Sequence, residues 1–385
     1  MTPRLKLGWF HRYPARFAPE VLEAMLNGLV ARLGRKPDVL LDPFAGVGTA
    51  VAAAVQLGIS ALGIEVFPLG VLIGQLRLAP PDPRAALGRA AELVDARKEE
   101  GPRGPNPLLE RWLGQENYTQ LGSYLTAIGG EPDLQVRRFL LVALSAALRA
   151  SSRWLAGSIK AQIDPHRPPR PIGDQFLAKA KTLARDCRLE TDAKRAPGLM
   201  LRGDAEALPI ASRSVDAIIS SPPYWVAYDY LSTQRLTYLA FGWPMTVELQ
   251  IGRRHGVPVD GRGFRPPPAL APWYSFYGGE RTGLGRSLRE YVQRMRRHLK
   301  EVRRVIKPGG VSCYSIASSV RAGKRFDLVQ GFVEMVEESG LGEVEVETRE
   351  VTHRRILPLG RDSRTGRFSS VPTAGVEEAL VYFRG

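Results

Sequence analysis

Residues 37–49 read Pro37-Asp38-Val39-Leu40-Leu41-Asp42-Pro43-Phe44-Ala45-Gly46-Val47-Gly48-Thr49. Pro37 to Asp42 is an apolar run of strand length that ends in an acid. Gly46 and Gly48 then allow a tight turn, and Thr49 to Leu57 (TAVAAAVQL) is Ala-rich and helical. After Gly58 a second strand-like run, Ser60 to Glu65, again closes on an acid. Strand, glycine turn, helix and strand, with an acid at each strand end, make the front half of a doubly wound nucleotide-binding fold.

Beyond Glu65 the rhythm changes. From about Pro80 to Pro197 the chain reads as helices interrupted at Gly101–Pro107 and Asp164–Pro171, with apolar residues at helical spacing in Pro107–Leu125 and Leu134–Leu155. Strand-like runs resume at Leu199–Asp204 and Val215–Ser220. An irregular stretch at about 246–285, rich in Arg, Gly, Pro and aromatics, precedes a long helix. On that helix Leu288, Tyr291, Met295, Leu299, Val302 and Ile306 share a face. The other face carries Arg289, Arg294, Arg296, Arg297, Lys300, Arg303 and Arg304 and is expected to be solvated. Lys307-Pro308-Gly309-Gly310 ends the helix, Val311–Ile316 is a strand and Phe326–Ser339 a helix. Glu343–Val351 and Val376–Phe383 form a closing antiparallel pair. The expected architecture is α/β: a doubly wound, Rossmann-like sheet, mostly parallel, with a C-terminal antiparallel hairpin and a helical insertion. Residues 1–79 and 198–385 carry the nucleotide-binding domain, the second part including the basic loop 246–285, and 80–197 is the insertion.

At 385 residues, 44% hydrophobic and 24% charged, the composition is that of a globular protein. A formal charge of +15 is less ordinary. So basic a surface attracts polyanions, nucleic acid first among them, although a genome that favours Arg over Lys also leaves this mark. The two cysteines, Cys187 and Cys313, are too few and too distant for a disulfide framework or a zinc site, so no metal is expected. They suit a reducing cytoplasm as buried, unreactive residues. No apolar run approaches a membrane span and the N-terminus lacks a signal-peptide core, which points to the cytoplasm and to no membrane partner.

Two constellations carry chemistry. In Asp42–Thr49 the glycines let a nucleotide-like cofactor approach the backbone, yet the pattern is neither GxGxxG nor a P-loop with its Lys. A glycine pair without phosphate-binding side chains suits a cofactor without phosphates, and S-adenosylmethionine fits. Glu65, at the end of the second strand, is placed to accept from ribose hydroxyls. The second constellation, Ser220-Ser221-Pro222-Pro223-Tyr224-Trp225, follows strand Val215–Ile219 directly. Two prolines remove two backbone donors and leave carbonyl acceptors in a rigid turn, which can grip an amino group. Tyr224 offers a flat face to a base swung out of its stack. Each constellation has a bland alternative: a tight βα loop for the first, a Pro-rich strand exit for the second.

Asp42–Thr49 resembles the DPFxGxGT motif, and Ser221–Tyr224 the SPPY motif, of the DNA amino-methyltransferases. His11-Arg12-Tyr13-Pro14-Ala15-Arg16-Phe17 is similar to the H-x-Y-P-A-[KR]-F segment of one branch of that family. Gly203-Asp204-Ala205 with Leu208-Pro209 resembles the third cofactor motif, and Lys307–Gly310 the loop before the fifth strand. The matches run from residue 11 to about 317 in unpermuted order. The resemblance implies an S-adenosylmethionine-dependent enzyme that methylates an exocyclic amino group in duplex DNA by direct transfer to a flipped base. It places the cofactor on Tyr13, Pro14, Ala15, Arg16, Phe17, Asp42, Pro43, Phe44, Gly46, Gly48, Thr49, Glu65, Asp204 and Ala205. The transfer falls to Ser221, Pro222, Pro223 and Tyr224, with no cysteine nucleophile. Ser at the first SPPY position is commoner among N4-cytosine enzymes, and Asp or Asn among N6-adenine enzymes, so cytosine is favoured.

Target recognition is expected in an insertion, and two are present. The helical segment 80–197 offers Arg137, Arg138, Arg149, Arg153, Trp154 and Lys160. The loop 246–285 offers Arg253, Arg254, Arg262, Arg265, Trp273 and Tyr274, basic residues interleaved with aromatics that suit phosphate contact and stacking. The tail loop His353–Arg367 is Arg-rich as well. Rival readings are N6-adenine in DNA, a base amino group in ribosomal or transfer RNA, an inactive nucleic-acid-binding subunit, and a small-molecule methyltransferase. Transfer-RNA relatives carry an N-terminal RNA-binding domain, for which a motif beginning at residue 13 leaves no room. Intact Asp42, Glu65, Asp204 and Ser221–Tyr224 oppose the inactive subunit, and the charge opposes the small molecule. Oligomeric state and target sequence are not encoded in any of these residues.

Overall fold

The computed structural model describes residues 5–13, 17–96, 106–158, 161–193, 195–226, 229–254, 263–321, 324–350 and 377–385. In chain order the elements begin α1 (Pro19–Leu33), β1 (Val39–Asp42), α2 (Thr49–Gln56), β2 (Ser60–Glu65) and α3 (Pro68–Leu78). Five helices follow: α4 (Pro83–Asp95), α5 (Pro107–Leu113), α6 (Gln115–Gly129), α7 (Leu134–Leu148) and α8 (Ile172–Thr191). Then come β3 (Gly198–Arg202), β4 (Val215–Ser220), α9 (Tyr230–Thr233), α10 (Arg235–Phe241) and α11 (Ala271–Phe276). The chain closes with α12 (Gly283–Val305), β5 (Ile306–Ala317), β6 (Ser319–Arg321), β7 (Lys324–Phe326), α13 (Leu328–Glu338), β8 (Gly342–Glu350) and β9 (Glu377–Arg384). The fold is α/β with mostly parallel strands and an antiparallel C-terminal pair. Two compact units are distinguished: Met1–Leu22 with Ala45–Arg202 and Asp229–Leu249, and Glu23–Phe44 with Gly203–Tyr228 and Gln250–Gly385.

In the first unit β2 and β3 run parallel, from Ala61 opposite Gly198 to Glu65 opposite Arg202. Gly48, left-handed at φ 72°, starts α2, and a side chain there would be strained by a Cβ. The helices of 80–197 belong to this unit, and their starts are written in the sequence. The Asp82 carboxylate accepts from the Arg84 and Ala85 amides with Pro83 at the first turn, Asn106 caps α5, and Asp133 caps α7. Gly114 at φ 77° breaks Pro107–Leu125 into α5 and α6. Among the described residues of this segment the strand pairing is one isolated bridge, Trp154 to Ile163, as the helical reading expects. Phe139, Leu140, Leu144, Trp154, Phe176 and Leu183 make its core, which also takes in Phe10 and Tyr13 from the N-terminus.

In the second unit β1, β4 and β5 are parallel neighbours, and β9 lies antiparallel between β5 and β8. Every residue of β4 is buried, in keeping with an apolar run covered on both faces. The closing pair falls within a residue of its expected place. Two expectations change on α12. Ile306 does not extend the helix but opens β5, so Lys307–Gly310 is the start of a strand rather than a loop. The arginine face is solvated only in part: Arg297, Lys300 and Arg303 are exposed, but the face also makes internal pairs. Arg289 is fully buried against Glu280, Arg294 and Arg297 both reach Glu206, and Arg304 donates to the carbonyls of Leu208 and Ile210. A guanidinium fork can close on a carboxylate or on two carbonyls, so a basic helix face can dock a polar loop. The β6–β7 hairpin was not anticipated; Phe326, expected in a helix, ends β7.

Candidate cofactor and base sites

In the first unit the glycine turn is tied directly to the acid at the end of β2. Glu65 Oε2 accepts from the Gly46 amide and Oε1 from the Phe67 amide, both at 2.8 Å. The Ala45 amide donates to Ile64 O at 3.0 Å. Gly70, on the first turn of α3, closes against this turn: a Cβ there would lie 2.6 Å from Gly46 O and 2.7 Å from Glu65 Cγ. A carboxylate oriented at a strand end by two amides is the acceptor that a pair of vicinal hydroxyls needs. Thr49 is buried at the head of α2. The Tyr13 ring closes over Gly46, with Cε1 3.7 Å from where a Cβ would stand. Burial first, then negative Glu65, holds the Tyr13 phenol protonated well above its usual range.

Tyr13 owes its place to a segment that buried charges hold down. Asp186 Oδ2 accepts from the Trp9 and Phe10 amides at 3.0 and 3.1 Å, and Glu190 Oε1 from the Gly8 amide at 2.7 Å. Arg77, fully buried on α3, pairs with Glu190 at 2.6 Å, donates to Gly8 O, and lays its guanidinium 4.5 Å from the Phe10 ring centre. His11 Nε2 meets Ser145 Oγ at 2.9 Å, which meets Thr237 Oγ1 at 2.7 Å. Phe10 takes a left-handed φ of 46°, a strained geometry for a bulky residue. Sequence reading missed Arg77, Asp186 and Glu190. The signals were an Arg inside the apolar helix PLGVLIGQLRL and two acids four apart on the buried face of α8. Phe17 is half-buried, and Pro14, Ala15 and Arg16 lie outside the described residues.

In the second unit Asp42, at the end of β1, is buried and accepts from Ser220 Oγ at 2.7 Å and from the Phe44 amide at 3.1 Å. Burial raises its carboxyl to about 7 against the opposing pull of those two bonds. This bond joins the two motifs, 178 positions apart in sequence. Phe44 stands edge-on to the His298 ring at 4.6 Å. His298 Nδ1 lies 3.0 Å from Ala205 O and Nε2 2.7 Å from the Tyr314 hydroxyl. A carbonyl only accepts, so Nδ1 bears the proton and Nε2 accepts from Tyr314. Burial lowers the imidazole to about 4 and keeps it neutral. Asp204 Oδ1 accepts from the Glu206 amide at 2.9 Å, and Pro43 is buried beside Asp42.

Ser221-Pro222-Pro223-Tyr224 leaves the end of β4 and turns back on β5. The Tyr224 hydroxyl donates to Ser315 O at 3.1 Å and lies 3.4 Å from Ser221 Oγ, with burial raising the phenol to about 12. Trp225 is the anchor. Its indole N–H donates to Ser287 Oγ at 2.9 Å, and its ring stacks on Phe326 at 5.2 Å. Val226 is left-handed at φ 53° and donates to Gly252 O at 2.7 Å. A β-branched residue held in that conformation marks a turn whose shape is imposed by its surroundings.

The residues expected to contact nucleic acid divide by environment. Arg254 and Arg265 are exposed, while Arg253 pairs with Glu290 at 3.0 Å. Trp273 is buried, donates to Arg325 O at 3.3 Å and has Tyr277 stacked on it. Tyr274 donates to Glu280. Arg262 and the tail loop His353–Arg367 lie outside the described residues, as does Lys160. In the helical segment Trp154 is buried under the Arg149 guanidinium, and Arg137 serves Glu131 O. Among the described residues no cluster of His, Cys, Asp or Glu could hold a metal ion, and no helix is long and apolar enough to cross a membrane. Cys187 and Cys313 are both buried, and burial pushes both thiols up.

No protein-family model matches the chain. It is 32% identical over 72 residues to a type II methyltransferase, M.MjaII, of Methanocaldococcus jannaschii, a match covering 19% of this chain and 13% of that protein's length. Among solved structures, an rRNA methyltransferase, aviRa, from Streptomyces viridochromogenes overlays with a TM-score of 0.38 at 12% identity, over 97% of this chain and 88% of that one. A second structure of the same enzyme gives 0.35 at 11% identity, with the same coverage.

Proposed function

We propose that this chain is a methyltransferase that moves a methyl group from S-adenosylmethionine to the exocyclic amino group of a flipped nucleic-acid base, N4 of cytosine in DNA. The observation that carries the reading is the Ser220–Asp42 bond at 2.7 Å. It fixes the end of the strand that launches Ser221–Tyr224 against the acid that opens the glycine motif. The short stretch of identity with a type II methyltransferase supports the same class.

In this reading the residues assigned to the cofactor are those the family resemblance implies: Tyr13, Pro14, Ala15, Arg16, Phe17, Asp42, Pro43, Phe44, Gly46, Gly48, Thr49, Glu65, Asp204 and Ala205. Bound there, the cofactor supplies an electrophilic methyl group on a positively charged sulfur. Glu65 receives hydroxyls, while the backbone at Gly46 allows close approach. Ser221 and the Pro222 carbonyl accept the hydrogens of the amine and leave its nitrogen lone pair directed at the methyl carbon; Pro223 stiffens the turn. Tyr224, tethered through its hydroxyl, presents its ring to the base. A Ser hydroxyl can also donate to a ring nitrogen, which favours cytosine. Two buried thiols, held protonated, are poor nucleophiles, consistent with direct transfer.

The test is to incubate the purified chain with labelled S-adenosylmethionine and either duplex DNA or RNA of varied sequence. Digestion to nucleosides and mass spectrometry then identify the product. N4-methyldeoxycytidine is the expected result. N6-methyldeoxyadenosine would overturn the choice of base, label confined to RNA the choice of polymer, and no labelled nucleoside from either the activity itself.

A further inference from the structure

β4 and β5 are parallel neighbours, with Ser220 opposite Tyr314. They therefore deliver their following residues at the same edge of the sheet: Ser221 after β4, and the β6–β7 hairpin one residue after β5 ends. The hairpin is clamped to the Ser-Pro-Pro-Tyr turn through Trp225. Phe326 stacks on the Trp225 ring, Arg321 donates to Trp225 O at 2.8 Å, and the Arg321 guanidinium lies 4.7 Å from the Trp225 ring centre and 4.9 Å from that of Phe326. The register pairs Ser319 with Phe326, Val320 with Arg325 and Arg321 with Lys324. Side chains alternate along a strand, so Lys324 shares the face of Arg321 and Phe326, the face turned to Trp225. Lys324 is nonetheless exposed. Arg325, on the opposite face, is half exposed and pairs with Asp327 at 3.2 Å. Asp327 also accepts from Ser318 Oγ and caps α13, so it is committed to the fold.

We propose that this hairpin is a phosphate-binding element that holds the nucleic-acid backbone beside the target base, with Lys324 and Arg325 as its contacts. The proposal rests on the function proposed above and names residues that the amino-acid pattern did not single out. A base drawn out of its stack swings on its two flanking phosphates, so the turn that receives it needs cations within reach of that backbone. Lys324 and Arg325 meet the need: both are accessible, and both sit on a two-stranded element that Arg321 and Phe326 fasten to the receiving turn. Arg321 is spent internally on Trp225 and keeps the hairpin in place.

Fluorescence anisotropy with a labelled duplex oligonucleotide of arbitrary sequence, over a series of salt concentrations, tests this directly, because phosphate contacts do not depend on sequence. The Lys324→Ala/Arg325→Ala variant should melt like the wild type. It should bind about tenfold more weakly, with a log–log salt slope shallower by roughly two, since each phosphate contact contributes about 0.9. Lys36→Ala/Arg213→Ala removes the same charge from exposed positions just before β1 and β4, at the opposite end of these parallel strands from Ser221, and should leave affinity and slope nearly unchanged. If the hairpin variant keeps the wild-type slope, or the Lys36/Arg213 variant loses as much, the hairpin assignment is wrong while the proposed function stands. If the wild type itself binds neither duplex nor single-stranded nucleic acid at low salt, the functional reading falls and the hairpin with it.

Discussion

The Tyr314 hydroxyl donates to His298 Nε2 at 2.7 Å, and this bond exists only while the imidazole is neutral. His298 spends its own ring proton on Ala205 O, so one side chain of α12 ties β5 to the loop that carries Asp204. Protonating the ring would set a second N–H against the Tyr314 O–H, two donors facing each other, and would bury a charge with no acid bonded to it.

His298 therefore makes stability sensitive to acid. An unfolded histidine titrates near 6.5, whereas the folded ring stays neutral down to about 4. Its contribution is whole above pH 6.5 and is lost as pH falls towards 4, on the order of 3 kcal/mol in total. His298→Ala should lower stability at pH 7 by about 2–4 kcal/mol through a cavity and an orphaned Tyr314 hydroxyl. It should also flatten the decline between pH 6.5 and 4.5. Urea unfolding at several pH values reads both effects, and an unchanged acid limb would remove His298 from the account.

Asp42 acts in the opposite sense. Its folded carboxyl is raised to about 7, so the cost of ionising it grows as pH rises from about 4 to 7 and is largest above that, on the order of 4 kcal/mol. Asn at position 42 keeps an acceptor for Ser220 and Phe44 but carries no charge. Asp42→Asn should narrow the stability difference between pH 5 and pH 8 and weaken S-adenosylmethionine binding at pH 8. Calorimetric titration beside urea unfolding separates the two. A variant with unchanged cofactor affinity would mean that the buried acid serves the fold alone.

What the sequence disclosed follows from how local each signal is. β2 and β4 fall where their apolar runs end in Glu65 and Ser220. The glycine turn and Ser221–Tyr224 stood out for the same reason. The partners of those motifs did not. His298, Tyr314, Arg77, Asp186 and Glu190 are ordinary residues on regular elements, and their importance arises only when chain segments up to 182 positions apart meet. The arginines of α12 misled because composition registers charge, whereas pairing with Glu206, Glu280 and the 208–210 carbonyls is tertiary. The β6–β7 hairpin, two strands of three residues each, is too short to leave a period.

Tyr224 separates ring from hydroxyl. Tyr224→Ala should abolish most methyl transfer while cofactor affinity holds, because it removes the stacking face and its tether but no residue assigned to the cofactor. Tyr224→Phe keeps the face but loses the tether to Ser315 O, so it should retain part of the rate, down about tenfold from looser positioning. Single-turnover assays with labelled cofactor distinguish them. Equal loss in both variants would assign the effect to the hydroxyl instead.

Gly70 tests the cofactor turn without touching a polar group. A Cβ there meets Gly46 O at 2.6 Å and Glu65 Cγ at 2.7 Å, so Gly70→Ala must push the turn and the carboxylate apart. Overpacking of this kind costs about 1–3 kcal/mol, and S-adenosylmethionine affinity should fall about tenfold or more. Gly88, with nothing within 4 Å of its Cβ position, is the control, and Gly88→Ala should leave affinity as it was. Cofactor titration of both variants, with thermal melting alongside, settles whether the approach of α3 shapes this turn.

The buried pair under the N-terminal segment makes the most distant claim. Glu190→Gln leaves the Arg77 guanidinium buried without its counter-charge, which costs about 3–5 kcal/mol when a buried pair loses one member. The same substitution weakens the hold on the Gly8 amide, so Tyr13 should lose its fixed place over Gly46. Cofactor affinity should drop together with stability. Replacing both partners, Arg77→Met with Glu190→Leu, removes the uncompensated charge and should restore much of the melting temperature. It cannot restore the bonds to Gly8, so affinity should stay low. Stability recovered with affinity still impaired would show that α8 positions Tyr13 through the N-terminal segment; affinity returning in step with stability would reduce the pair to a fold determinant.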